Sequence, residues 1–187
     1  MQERKMNLRN LSIDSSWTLF LDRDGVINVH CEGYIKEIND FKFITGSLQA
    51  IKKLSGIFGK IIVITNQQGI GKKLMGIDDL EKVHEFMLNT IKQHGGRIDK
   101  IYFAPQLESE NSIYRKPNTG MTMQAKQDFP EINFSKSIMI GDKIIDMQLG
   151  KNIAAKTVYV GKPLANANES LIDYQFSSLY EFCSAFM

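Results

Sequence analysis

The amino-acid sequence predicts an α/β protein, a doubly wound parallel sheet with helices on both faces in a three-layer, Rossmann-like arrangement. Three observations lead there. Several short runs are continuously apolar and rich in β-branched residues, as in "KIIVITN" (Lys60–Asn66), which suits strands buried on both faces. Amphipathic segments with apolar residues at helical spacing separate these runs, and strands that alternate with helices pair in parallel through right-handed crossovers. Ligands of such sheets sit beyond the carboxyl ends of the strands, and the unusual polar residues of this chain fall at those ends.

Residues 1–15 are charged, then polar, with no apolar signal core, and read as a leader; residues 16–187 read as one domain. "WTLFLD" (Trp17–Asp22) is the first strand. Ser47–Phe58 carries Leu48, Ile51 and Leu54 on one helical face, with Ser47 as N-cap. Lys60–Asn66 is the second strand. Ile77–Gly96 sets Leu80, Val83, Met87 and Ile91 on one face and ends in glycines suited to a helix C-terminus. A third strand lies in Asp99–Pro105, a helix in Thr119–Phe129 and a fourth strand in Ser137–Asp142. A helix in Asp146–Ile153 and a fifth strand in Lys156–Gly161 follow. Asn168–Met187 reads as a tail ending in a short helix.

Composition excludes more than it selects. The 187 residues carry 23 basic and 21 acidic side chains, net +2, with no lysine- or arginine-rich tract. That balance gives no electrostatic footprint for nucleic acid. No apolar stretch approaches the ~20 residues that span a bilayer, so no membrane partner is expected. Cys31 and Cys183 are too few for a disulfide framework and lack metal-type spacing. They read as free thiols of a reducing cytoplasm.

Chemistry concentrates at the strand ends. Asp22 and Asp24 follow the first strand, Thr65 and Asn66 close the second, Arg115 and Lys116 lie in the loop after the third, and Asp142 and Lys143 follow the fourth. Asp146 stands one helical turn further on. In an extended segment Asp22 and Asp24 share one side while Arg23 points away. Carboxylates about 4 Å apart repel by roughly 4 kcal/mol at an effective dielectric of 20. A hard divalent cation relieves this, and magnesium takes oxygen ligands and favours phosphate as a further one. Thr65, Asn66, Lys116 and Lys143, with backbone amides at Gly25 and in "QQGIG" (Gln67–Gly71), would line a phosphate pocket. One carboxylate could then attack phosphorus while a second moves protons. Each motif alone reads equally as a turn, a cap or a solvated loop; all four, in order and each at or just after a strand end, argue for a site.

"DRDGVIN", "ITN", "RKP" and "GDKIIDM" resemble, in order, the four motifs of the haloacid dehalogenase superfamily of aspartate-nucleophile phosphatases, across Leu19–Pro163. "TNQQGI", "RKPNTGM" and "GDKIIDMQLG" are most similar to its heptose-bisphosphate and histidinol-phosphate phosphatase group. The resemblance implies a haloacid dehalogenase-like fold with little or no cap domain. It further implies a magnesium-dependent phosphomonoesterase that works through an aspartyl phosphate on a small phosphorylated metabolite. The foremost candidate is the 7-phosphate of D-glycero-D-manno-heptose 1,7-bisphosphate, with histidinol phosphate or another small metabolite as the alternative. Asp22 would be nucleophile and magnesium ligand. Asp24 would be general acid/base and bind the metal through its backbone carbonyl, and Asp142 would complete the protein ligands. Thr65, Asn66 and Lys116 would hold the transferring phosphate, Arg115 the substrate, and Lys143 the metal–phosphate cluster. Asp146 would orient Lys143 or the metal's waters.

The group's zinc-binding loop is altered. Where a Cys-x-His and a Cys-x-Cys pair are expected before "RKP", this chain has Ala104, Gln106, Ser112 and Tyr114. None suits zinc, so no zinc is expected, and packing and hydrogen bonds would order the loop. Two other classes compete. A phospho-acceptor signalling domain would carry a contiguous acid pair after the first strand and an aspartate after the third, where "YFAP" has none. A silent binding module would not need every catalytic position filled. Specificity would reside in the loops Cys31–Asp40, Gly69–Asp78 and Pro105–Tyr114.

Overall fold

The computed structural model describes residues 11–31, 33–163 and 170–186. Residues 1–10 of the expected leader, Glu32, and residues 168, 169 and 187 of the expected tail lie outside them. Leu11 and Ile13, at the described end of the leader, pack against the core.

Six strands form one sheet in the order β3-β2-β1-β4-β5-β6: β1 (Thr18–Leu21), β2 (Lys60–Asn66), β3 (Lys100–Ala104), β4 (Ser137–Gly141), β5 (Lys156–Val160) and β6 (Tyr174–Phe176). Every pairing is parallel. Side chains alternate across the sheet, so each strand feeds two cores. Leu19, Leu21, Val63, Ile138 and Ile140 face helices α1 (Ser47–Ser55), α2 (Ile77–Gln93) and α5 (Leu179–Ser184). Phe20, Ile62, Ile64 and Met139 face α3 (Gly120–Asp128) and α4 (Ile144–Asn152). The α/β fold is thus the doubly wound one expected. Its strand order reverses between β1 and β4, and the crevice of such a sheet opens at that switch point, beyond the carboxyl ends.

Two expectations need correction. The chain after residue 168 is not only a tail with a helix. Tyr174–Phe176 adds a sixth strand beside β5 before α5 begins at the Ser178 cap, whose hydroxyl accepts from the Glu181 amide at 3.2 Å. Ser47 does not cap α1 either. The cap is Gly46 at φ +84°, where a Cβ would sit 2.9 Å from the Tyr180 ring, so only glycine fits between α1 and α5. Ser47 becomes the first helical residue, with its hydroxyl buried.

Between β1 and α1, residues 22–46 fold back through isolated bridges that pair Asn28 with Asp24 and with Phe43, and a short turn of helix at Ile38–Asp40. Among the described residues no inserted domain covers the crevice.

Candidate active site

The end of β1 is tied to β4 by the Asp22 amide, which donates to the Ile140 carbonyl at 2.9 Å. This puts Asp22 beside Asp142, which directly follows β4. Gly25 makes their approach possible. It turns the chain off the strand at φ +85°, and a Cβ there would lie 2.1 Å from Asp142 Oδ2. The first turn of α4 brings in Asp146. One carboxylate oxygen from each of Asp22, Asp142 and Asp146 lies within 4.8 Å of the others.

Lys116 reaches into this cluster from the loop before α3. Its ammonium is 2.8 Å from Asp22 Oδ1 and 2.7 Å from Asp146 Oδ1, and all three side chains are buried. Burial alone would push the Lys116 ammonium down, but the Asp146 and Asp22 carboxylates outweigh it and hold it above the ordinary lysine range. Burial pushes Asp146 up, assisted by Asp22 and opposed by Lys116. Asp146 also accepts the Lys143 amide at 3.1 Å on Oδ2, which caps α4. It therefore holds the Lys143 backbone, one of the two roles the sequence suggested for it, and also orients the Lys116 ammonium. Burial and the neighbouring Asp22 raise Asp142, whose Oδ1 is buried without a hydrogen-bond partner among the described residues.

An all-oxygen carboxylate cluster with one unpartnered buried oxygen fits a hard divalent cation, and the donor set suits magnesium. Asp22 and Asp142 are placed to hold it.

The remaining expected residues divide. Thr65 and Asn66 end β2. Both ends of the Asn66 carboxamide are engaged with the Lys116 backbone: Nδ2 donates to the carbonyl at 3.2 Å, and Oδ1 accepts the amide at 3.0 Å. In this structure Asn66 holds the lysine loop. Thr65 Oγ1 accepts from Gln67 Nε2 at 2.9 Å. Asp24, Asn66, Arg115 and Lys143 line a cavity of about 330 Å³ together with His30 and Tyr34. The amides expected to face an anion mostly do not: those of Gly25, Gln67, Ile70 and Gly71 donate to the carbonyls of Asn28, Ala104, Gln67 and Pro105. Local turns satisfy Gly25 and Ile70, and the chain at the end of β3 satisfies Gln67 and Gly71.

Arg23 does not point away from the aspartate pair, as extended geometry suggested. The chain leaves the strand after Leu21, and the Arg23 side chain is 1% exposed. Its NH2 group donates to Asp24 Oδ1 at 2.9 Å and Oδ2 at 3.0 Å. Its NH1 group meets His84 Nε2 at 3.1 Å. Asn28 Nδ2 donates to Asp24 Oδ1 and Gln67 Nε2 to Oδ2, each at 2.9 Å. Burial would raise Asp24, but Arg23, Asn28 and Gln67 together bring it below the usual carboxylate range. Arg23, Asn28, Gln67 and His84 are thus site residues that sequence reasoning missed. One signal was available for His84: it stands four residues after Leu80 and three before Met87, a polar side chain on the apolar face of α2.

The loop before "RKP" is held by its own hydrogen bonds. Asn118 Nδ2 donates to the Ser112 carbonyl at 2.9 Å, and the Leu107 amide donates to Glu110 at 2.8 Å. The Gly71 amide joins this loop to the neighbouring one through the Pro105 carbonyl at 3.1 Å.

The chain is similar to known phosphatases in sequence and in fold. The family profile described as "Polynucleotide kinase 3 phosphatase" matches residues 19–176. The chain is 36% identical over 177 residues to the D-glycero-beta-D-manno-heptose-1,7-bisphosphate 7-phosphatase of Yersinia pestis, covering 89% of this chain and 93% of that one. It is 34% identical over 175 residues to the D-glycero-alpha-D-manno-heptose-1,7-bisphosphate 7-phosphatase of Mycobacterium bovis, covering 90% of each. Among solved structures, the D,D-heptose 1,7-bisphosphate phosphatase of B. bronchiseptica, complexed with magnesium and phosphate, superposes with a TM-score of 0.82 at 22% identity. It covers 91% of this chain and 97% of that one. At that identity the likeness establishes the fold. The D,D-heptose 1,7-bisphosphate phosphatase of Burkholderia thailandensis matches with a TM-score of 0.64 at 25% identity, over the same shares of the two chains.

Proposed function

The chain belongs to the polynucleotide kinase 3 phosphatase family within the haloacid dehalogenase superfamily, and from that premise we propose that it is a magnesium-dependent phosphatase of a heptose bisphosphate, releasing the 7-phosphate through a phosphorylated Asp22. The observation that carries this reading is the Asp22–Lys116–Asp142 arrangement. It joins a carboxylate aimed from the switch point, a buried ammonium 2.8 Å from it and a second carboxylate with an unpartnered oxygen. The names of the relatives supply the heptose.

Asp22 attacks phosphorus, and its new oxygen–phosphorus bond forms as the bond to the leaving sugar oxygen breaks. Asp24, an ionised carboxylate at rest, first takes up a proton from water as one of its amide donors gives way, and passes that proton to the leaving oxygen. In the second step a water attacks phosphorus and returns a proton to Asp24, and the bond to Asp22 breaks to release inorganic phosphate. Lys116 stays charged throughout and offsets the charge on the transferring group, while Asn66 fixes its backbone. Thr65 hydrogen-bonds phosphate oxygens. Arg115 and Lys143, on the cavity wall, meet the substrate and the phosphate. Asp22, Asp142 and the Asp24 backbone carbonyl would hold magnesium, which when bound offsets negative charge at phosphorus. We also propose a loop 105–114 ordered without zinc and, from a composition with only two cysteines, a cytoplasmic setting.

A steady-state screen with magnesium tests the function, comparing kcat/KM for heptose bisphosphate, histidinol phosphate, hexose phosphates and a nucleic-acid 3′-phosphate. The heptose ester should lead, chelation should abolish turnover, and Asp22→Asn should be inactive yet folded. Full activity in Asp22→Asn sinks the nucleophile assignment, and a different leading substrate replaces the heptose. Stoichiometric zinc in the purified protein would overturn the zinc-free loop.

A further inference from the structure

Arg23 has a placement that the reaction above does not require. A buried guanidinium carries a large desolvation penalty unless its partners are well arranged, and an apolar side chain could fill the same space. Here the charge is used on one target. A single terminal nitrogen bridges both oxygens of Asp24, at 2.9 and 3.0 Å, and also reaches Gln67 Oε1 at 3.3 Å. The other terminal nitrogen is held by His84 of α2, whose ring packs edge-on against Phe103 at 6.1 Å. The guanidinium is therefore anchored through its two terminal nitrogens, one by a helix and the other by the carboxylate, while its buried Nε has no hydrogen-bond partner among the described residues.

Asp24 receives four contacts: two from Arg23, one from Asn28 and one from Gln67. A carboxylate offers about four lone-pair sites, so the set is full and the carboxyl plane is fixed. Whenever an Asp24 oxygen carries or accepts a proton, one of these donors must give way. A neutral amide yields more cheaply than a charge-assisted contact. Arg23 is then the partner that persists through the cycle while Asn28 or Gln67 gives way.

We propose that Arg23, braced by His84, is the positioning residue for proton transfer by Asp24, in both the donation to the leaving oxygen and the activation of water. The proposal rests on the phosphatase reading above. It also gives Gln67 a second part: the same amide nitrogen that contacts Asp24 donates to Thr65 Oγ1 at 2.9 Å, which links the acid/base to the end of β2.

The test separates the two proton-dependent steps by leaving group. Release of p-nitrophenolate needs no proton from Asp24, release of a sugar alkoxide does, and attack by water needs Asp24 in either case. Arg23→Met and Arg23→Lys are compared with wild type, with magnesium, in rapid-mixing and steady-state assays. For the sugar ester, kcat should fall about a hundredfold in Arg23→Met, the lower end of general acid–base effects, with KM within about threefold. For p-nitrophenyl phosphate, a stoichiometric burst should persist near the wild-type rate and be followed by slowed turnover. Arg23→Lys should recover little, because an ammonium lacks the planar fork.

A burst slowed as much as sugar turnover points to general damage and overturns the proposal. So does a rise in KM alone, which means direct substrate contact, or undiminished turnover in Arg23→Met. Should the Arg23 variants fail to unfold cooperatively, His84→Phe carries the same comparison. It should slow sugar turnover about tenfold, within the range of removing an outer hydrogen-bond partner, and spare the burst. Loss of both or of neither overturns the idea. A wild-type protein that hydrolyses neither ester would instead refute the phosphatase reading.

Discussion

His84 should make the protein lose stability in mild acid by a calculable amount. Its ring is buried beside the Arg23 guanidinium, and these two causes, burial first, hold its pKa down at about 3, against 6.5 for the free side chain; Asp24 opposes them weakly. The sign follows from proton counts. Below pH 6.5 the unfolded chain binds a proton at this histidine and the folded chain does not, so stability falls as pH falls, until about pH 3. The slope is about 1.4 kcal/mol per pH unit, so about 2 kcal/mol should be lost between pH 6.5 and 5. Asp142 and Asp146, whose pKa values are raised, carry the opposite slope over part of this window. Urea unfolding at pH 7 and pH 5 should therefore be read as the difference between wild type and His84→Gln, whose carbonyl can still accept from Arg23. The variant should gain about 2 kcal/mol on wild type across that interval, or ~4–8 °C in Tm for a chain of this size. A difference that does not change with pH, or that changes in favour of wild type in acid, refutes the buried neutral histidine. The latter result would mean a protonated ring paired with Asp24.

Three further outcomes can be checked. Gly25→Ala should fold poorly around the site and lose turnover, since its Cβ would lie 2.1 Å from Asp142 Oδ2 at φ +85°; a variant with normal magnesium dependence would contradict this. Asp173→Ala should destabilise the protein by about 1–3 kcal/mol. It strips the acceptor from the Thr157 amide and the partner from Lys151 at the start of β6, and denaturant melts should report the loss. Asp142→Asn should raise metal-free stability, because it removes a buried carboxylate next to Asp22, while raising the magnesium needed for half-maximal activity; calorimetry with and without magnesium tests both halves.

The first five strands were legible because continuous apolar runs have few alternatives inside a domain, and their parallel pairing followed from alternation with helices. Strand β6 was not, because three residues with only Tyr174 buried carry no periodicity. Ser47 misled because a capping side chain is a local preference, whereas the contact between Gly46 and Tyr180 is long-range. At the crevice, the convergence of Asp22, Asp24, Asp142 and Lys116 was legible because each lies just after a strand or in the loop that follows one. What stayed hidden was the second use of polar groups. Asn66 reads equally as a phosphate ligand or a brace, and only its paired bonds to Lys116 distinguish these. Arg23 was misplaced because period-two alternation was extended past Leu21, where the strand ends.

The carboxylates of the crevice are not equivalent, and their counter-charges explain how they divide. Asp24 is matched by Arg23 and two amides, so its charge is balanced before any ligand arrives. Asp22 and Asp146 share one cation, Lys116, at nearly equal distances. Asp142 has no ion pair among the described residues, keeps one orphaned oxygen, and is pushed upward by burial and by Asp22. Two acids on one lysine plus an unmatched third leave an excess of negative charge concentrated between Asp22 and Asp142. A protein that wanted only a stable crevice would remove Asp142, since a buried unpaired carboxylate is destabilising. A divalent cation arriving from solution at that edge would offset the charge, as the proposed function requires. In the proposed mechanism the same asymmetry would separate proton transfer from phosphoryl transfer: Asp24, the proposed acid/base, is matched by Arg23, whereas Asp22, the proposed nucleophile, shares Lys116 with Asp146.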